Sequence, residues 1–413
     1  MVAATSGDRL PGAGLFAGLC LAVMIITGCS NTAERSATPS TGHPSASPGS
    51  QGSATPGGAA ARWTKTCRVA LPQAWNDALH RGRLKPGAGL QAGTAFVGTN
   101  GETVLQYSRP GLGSGTNKIV WRVGSKDRLI DDFGADGHQQ WQILNADYDG
   151  RWLAYGVLHD PADINDWSVW IWDTVRGGTP RRIGAADTNA DGGHPGGPWP
   201  YVALVDGHVF WPQVPGGKPG RTISYLRRYN IDTGRRDNVS TAGSPIRVWR
   251  LGDHRVLWSA ARKQGELSRL AAADPTTLKP IRLPAQLAEI NGPFALANSR
   301  QLYAWSDHRL RTLYVWRPGW AKPRAAITVG ADRAIDAVGV VGSSFVVWND
   351  GYAQHILDVR SGSYASLTRQ WGSTRTGIDS PWLQVGYPPA SKGSSPSPSS
   401  YIDTSGLPHL PGC

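Results

Sequence analysis

Oxygen-bearing side chains alternate along Asp187-Thr188-Asn189-Ala190-Asp191-Gly192, the spacing with which a loop wraps a hard cation such as Ca2+. Pro198 stands where a bidentate glutamate would complete such a loop. The competing reading is a turn whose Asx side chains cap their own backbone. A second group, His159, Asp160, Asp163 and Asp166, could extend the same charged surface. The chain contains no G-x-S-x-G elbow, no H-E-x-x-H, no C-x-x-C and no G-x-x-x-x-G-K-[ST] phosphate loop. Gly111-Leu112-Gly113-Ser114-Gly115 lies between two strands with no helix behind it, so it lacks the dipole that makes a phosphate cradle. No catalytic residue is assigned, and the expectation is a non-enzyme with no cofactor unless Ca2+ fills the 187–192 loop.

Such loops need a scaffold, and the composition says which kind. With 52 Gly, 30 Pro and only 17% charged residues, long helices are disfavoured and turns are frequent. Hydrophobic residues at 40% still supply a large core. Within the chain a short β-rich segment ending in an aromatic recurs. Its copies are Val104 to Tyr107, Trp152 to Tyr155, Val209 to Trp211, Val256 to Trp258, Tyr303 to Trp305 and Val346 to Trp348, with a degraded seventh from Trp382 to Tyr387. The spacing of about 40 to 56 residues is that of one propeller blade per repeat. Turn dipeptides precede the strands, as in Asn100-Gly101, Asp149-Gly150 and Asp206-Gly207. Polar turns such as Asp232-Thr233-Gly234 and Arg360-Ser361-Gly362 follow later in each unit. The fold class expected is all-β, a β-propeller of seven four-stranded blades over about residues 93–413, with six or eight as alternatives.

In such a ring, loops between blades share a face with loops joining the second and third strands. Residues 185–199 and 158–166 should therefore lie together, bringing the two acidic groups onto one surface. The tryptophans inside repeats (Trp121, Trp152, Trp172, Trp211, Trp258, Trp305, Trp316, Trp348) are assigned to the core. Trp199, Trp320 and Trp371 fall in loops, where they could stack on sugars or peptides or act as buried anchors.

Asp147-Tyr148-Asp149-Gly150-Arg151-Trp152-Leu153-Ala154-Tyr155 resembles the signature hairpin of TolB-like propellers, and Trp172-Asp173 resembles the dipeptide of WD40-like repeats. The TolB-like resemblance implies, as one reading, the sensor half of a larger transport or signalling complex. At the N-terminus an apolar run from Leu15 to Ile26 ends in Ile26-Thr27-Gly28-Cys29, which resembles the bacterial lipobox. That resemblance implies a signal peptide over 1–28, cleavage before Cys29, and acylation of its thiol, with two chains giving stable anchoring. Residues 29–62, rich in Ser, Thr, Ala, Gly and Pro, read as a disordered tether. Residues 63–92 form a lead-in to the propeller with a short helix within 71–82, where Leu71, Trp75, Ala78 and Leu79 keep helical spacing.

Ring closure brings the two ends of a propeller together, so Cys67 and Cys413 are expected to form a disulfide in an exported chain. The net charge of +12 is scattered rather than concentrated in basic runs. It favours anionic partners over a nucleic acid, for which no dedicated patch exists. The function expected is a membrane-anchored module on the extracytoplasmic face of the cell membrane. It would bind or scaffold an envelope protein or an anionic envelope polymer. The alternative is a propeller hydrolase or lyase acting on envelope glycans through the acidic loops of 158–191.

Overall fold

The computed structural model describes residues 65–84, 92–108, 117–138, 140–160, 162–217, 224–239, 241, 243–252, 254–263, 266–368, 376–386 and 399–413. The segments read as signal peptide and tether, with Cys29, lie outside these residues, as do Trp371 and Tyr387.

Six four-stranded antiparallel sheets follow one another along the chain, each built in sequence order. Blade 1 spans Gly93–Val97 to Lys126–Asp132, blade 2 Gln142–Tyr148 to Arg181–Ala185, and blade 3 Ala203–Val205 to Arg236–Val239. Blade 4 spans Ser244–Leu251 to Pro280–Ile281, blade 5 Leu296–Asn298 to Arg324–Thr328, and blade 6 Ala337–Val341 to Ser363–Thr368. First strands touch in turn from blade 1 to blade 4 and from blade 5 to blade 6, and Asn298 of blade 5 donates to Arg250 O of blade 4, which puts them at the axis of a six-bladed propeller. No helix among the described residues is long and apolar enough to cross a membrane.

Local chemistry explains the blades. Asp206 and Gly207 both take positive φ, 47° and 70°, and Val205 pairs directly with His208, as a two-residue hairpin turn requires. The aromatic that ends each second strand is buried: Tyr107, Tyr155, Trp211, Trp258, Trp305 and Trp348 are all at most 6% exposed. Trp211 packs into blade 2 beside Trp167 and Ile183, and a Cβ on Gly184 would meet its ring at 2.7 Å. At the end of third strands, Asx side chains accept the N–H groups of the turn that follows. Asp173 caps Val175 and Arg176, Asn230 caps Thr233, Asp274 caps Thr276 and Thr277, and Asp358 caps Arg360.

The blade count is six, the lower of the alternatives to seven. The seventh repeat forms only a two-stranded sheet, Trp382–Gly386 with Ser399–Asp403, which touches the first strand of blade 1 and the last of blade 6. Past Asp403, Pro408 and Pro411 lack the N–H a ladder uses and fix φ, which disfavours a further strand there. The N-terminal lead-in covers that edge instead. Leu84 N–H donates to Ser399 O at 2.7 Å and Tyr401 N–H to Gly82 O at 2.9 Å. Helix α1 (Gln73–Arg81) begins after Pro72 and packs on Ser399–Asp403 through Trp75, Ala78 and Leu79. At Gly82 a Cβ would stand 2.3 Å from Tyr401 O, so only glycine lets the chain leave the helix this close to the sheet. Cys67–Arg68 adds a fifth, parallel strand to blade 6, and Cys67 is disulfide-bonded to Cys413 with Cα atoms 5.8 Å apart.

Candidate functional site

Loops between blades and loops joining second to third strands share one face. Three of them converge at the junction of blades 1 and 2. His159 Nδ1 lies 2.7 Å from Asp166 Oδ1, and its Nε2 lies 2.7 Å from Ser168 Oγ. His194, from the loop between blades 2 and 3, brings Nε2 to 3.5 Å from the same Asp166 oxygen. Trp141 stacks on His159 at 4.3 Å and on the exposed His138 at 3.9 Å. Burial pushes the His159 imidazole below its ordinary pKa, against the pull of Asp166. Asp160 and Asp163 are spent on their own loop, capping the N–H of Ala162 and Asn165.

The alternating oxygens of 187–191 are likewise committed to protein donors. Asp187 accepts Gln213 Nε2 at 2.5 Å and Gly216 N–H at 3.0 Å, Asn189 accepts Gly217 N–H at 3.3 Å, and Asp191 accepts Gly193 N–H at 3.0 Å. These bonds pin the loop to the end of the second strand of blade 3. Among the described residues, no group of three or more His, Cys, Asp or Glu stands together as a metal site would need.

Ser168, His159 and Asp166 have the order and spacing of nucleophile, base and orienting carboxylate. Sequence reasoning singled out His159 and Asp166 but not Ser168, since a serine inside an apolar strand carries no motif. The hydroxyl is 0% exposed and also accepts the indole N–H of Trp170 at 2.6 Å. Ser168 is bonded to His159, on whose ring Trp141 stacks. The trio links the strand at Ser168 to the loop that carries His159 and Asp166.

A different cluster stands open beside blades 3 to 5. Arg247, on the first strand of blade 4, places its guanidinium carbon 4.6 Å from the Tyr201 ring centroid and 4.5 Å from that of Phe294. Tyr201 precedes the first strand of blade 3 and Phe294 that of blade 5, so the ring architecture brings both to the strand between them. Trp199 stacks against Tyr201 at 6.2 Å. All four residues are half-buried, and Arg247 makes no ion pair among the described residues. Trp320, also in a loop, is a structural anchor: its carbonyl accepts Trp316 Nε1–H and its ring lies under Arg324.

At the opposite end of the same strand Arg250 donates to Tyr148 O of blade 2 at 2.9 Å. It borders a cavity of about 120 Å³ lined by Glu102, Tyr148, Asp149 and Ile378. Asp147 nearby is half-buried, and burial raises its carboxyl to about 6 against the opposing charge of Arg250. Both arginines interrupt an otherwise apolar-looking strand, Ser244–Leu251, which was the available sequence signal for them.

Neither protein-family models nor curated proteins include a match to this chain. Solved structures do match. A prolyl endopeptidase aligns with a TM-score of 0.52 and 12% identity, over 82% of this chain and 50% of that one. A chain of the mitotic checkpoint complex aligns with a TM-score of 0.43 and 9% identity, over 76% of this chain and 88% of that one. The extracellular domain of a hybrid two-component system from B. thetaiotaomicron gives 0.38 and 12%, over 66% and 32%. The chain thus spans about half the length of the endopeptidase it matches, and at this identity the likeness is one of fold alone.

Proposed function

We propose that the protein is a lipid-anchored binding module on the extracytoplasmic face of the cell membrane, with Cys29 as the acylated residue and 29–62 as the tether. Its propeller presents the loop face to an anionic component of the cell envelope. The observation that carries this reading is Arg247, half-buried between Tyr201 and Phe294 and lacking a carboxylate partner among the described residues. A buried-side guanidinium without a counter-ion is costly unless something external supplies the charge. The enzymatic alternative is supported by the Ser168–His159–Asp166 geometry alone, and the burial of Ser168 weighs against it.

The test is retention of the full-length protein on isolated envelope material. Saturable retention that weakens between low and high salt, without release of soluble fragments, is the expected result. Fragment release that disappears in Ser168→Ala would replace the binding reading with the enzymatic one.

A further inference from the structure

Six half-buried arginines elsewhere in this propeller meet oxygens of the protein. Arg122 faces Asp127 and Arg228 faces Asp237, while Arg227 donates to Gln213 Oε1, Arg250 to Tyr148 O, Arg311 to Arg333 O and Arg317 to Ser343 O. Arg247 departs from that pattern. Its guanidinium carbon lies over two aromatic rings, 4.6 Å from the Tyr201 centroid and 4.5 Å from that of Phe294. Cation–π contact of this kind does not use up the N–H donors of the guanidinium, which stay available to an acceptor. A planar fork of this kind matches the two coplanar oxygens of a carboxylate. Beside it, Trp199 and Tyr201 extend an aromatic surface, with ring planes 29° apart. Aromatic surfaces of this kind pack against the apolar face of a sugar ring while polar groups at the edge fix its orientation.

Resting on the reading that this face binds an envelope component, we propose that the mouth formed by Trp199, Tyr201, Arg247 and Phe294 recognises a carboxylated sugar residue of a glycan. The carboxylate sits on the Arg247 fork, and the sugar ring lies against Trp199 and Tyr201. The charge is a requirement of the fork geometry as well as of its sign, so lysine does not replace arginine here.

The experiment is titration of the full-length protein with hyaluronan, dextran and dextran sulfate at one ionic strength, followed by tryptophan fluorescence. Wild type, Arg247→Met, Arg247→Lys and the exposed control Arg236→Met are compared, with thermal melting to establish that each is folded. Wild type is expected to bind hyaluronan in preference to both other polymers. Arg247→Met and Arg247→Lys should each weaken that binding by about tenfold or more, the loss expected for a charge-assisted bidentate contact. Arg236→Met should stay within about twofold, because an exposed charge contributes little. Equal affinity for dextran sulfate, or an Arg247→Lys variant that binds like wild type, would reduce the interaction to charge attraction and overturn the proposal. Failure to bind hyaluronan while envelope retention persists would overturn the sugar class and leave the binding reading standing. Loss of both would remove the binding reading itself.

Discussion

Blade 2 and the closure of the ring both complete a sheet, but they draw their strands from different distances along the chain. Blade 2 takes all four strands from residues 142–185, and its own side chains secure its turns. Asp149 accepts the N–H groups of Arg151 and Trp152, Arg151 pairs with Asp173 at 2.7 Å, and Asp173 caps the next turn. The closure instead joins residues 67–84 to residues 363–413, and its disulfide spans 346 residues. Short-range pairing loses little loop-closure entropy, whereas pairing across the whole chain loses more and gains from a covalent clamp. A propeller whose last repeat is incomplete therefore depends on its N-terminal lead-in in a way that no single blade does.

Three perturbations of the closure and of blade 2 should separate these two kinds of stability, and a fourth should locate the boundary between them. Replacing Cys67 and Cys413 by serine should have the largest effect, about 5 kcal/mol on the chain-entropy account, read as a lower urea midpoint. If reduction left the midpoint unchanged, the ring would be held by side-chain packing alone. Trp75→Ala should cost about 3–5 kcal/mol, because a fully buried indole is lost along with its bond to Pro408 O. The loss should appear first as exchange of amides in Ser399–Asp403, with blade 2 still protected.

Asp173→Asn should destabilise blade 2 by about 1.5–3 kcal/mol at neutral pH, the range for hydrogen bonds to a charged group. The Arg151 hydrogen bonds lower the Asp173 carboxyl to about 2, below its ordinary value. Its contribution is therefore present above pH ~4 and lost as pH falls toward 2. Denaturation at pH 7 and pH 2 should show the variant converging on wild type only at the acid end. The smallest effect concerns His159, whose folded-state pKa is lowered by burial. Because the unfolded imidazole takes up a proton first, stability should decline as pH falls from ~6.5 through the folded-state pKa. His159→Gln should flatten that slope, and an unchanged slope would place the titrating group elsewhere.

Much of the architecture was legible in the residues. The recurrent apolar segment ending in an aromatic marks the second strand of every blade, and the Gly-containing dipeptides mark its hairpin. These signals are local, because a strand and a two-residue turn are specified within a few residues. The blade count was less legible: the hairpin of the seventh copy is present in sequence, yet a blade also needs partners on both sides of it. Of the site residues, His159 and Asp166 were found and do meet, while Asp160, Asp163, Asp187, Asn189 and Asp191 turned out to be held by nearby donors. Their oxygens look the same in sequence whether they cap a backbone or face solvent.

The sequence alone determined the repeat, the turns and the pair of cysteines at the ends of the array, because each depends on neighbours or on the fact of ring closure. Only the tertiary structure decided that Arg247 lies between Tyr201 and Phe294, each more than forty positions away and each from a different blade boundary. It also decided that Ser168 joins His159 out of reach of solvent, and that residues 67–84 complete what the last repeat leaves open. The physical reason is common to all three. Contacts around a ring are set by how first strands converge on an axis, and that convergence has no counterpart in the spacing of residues along the chain.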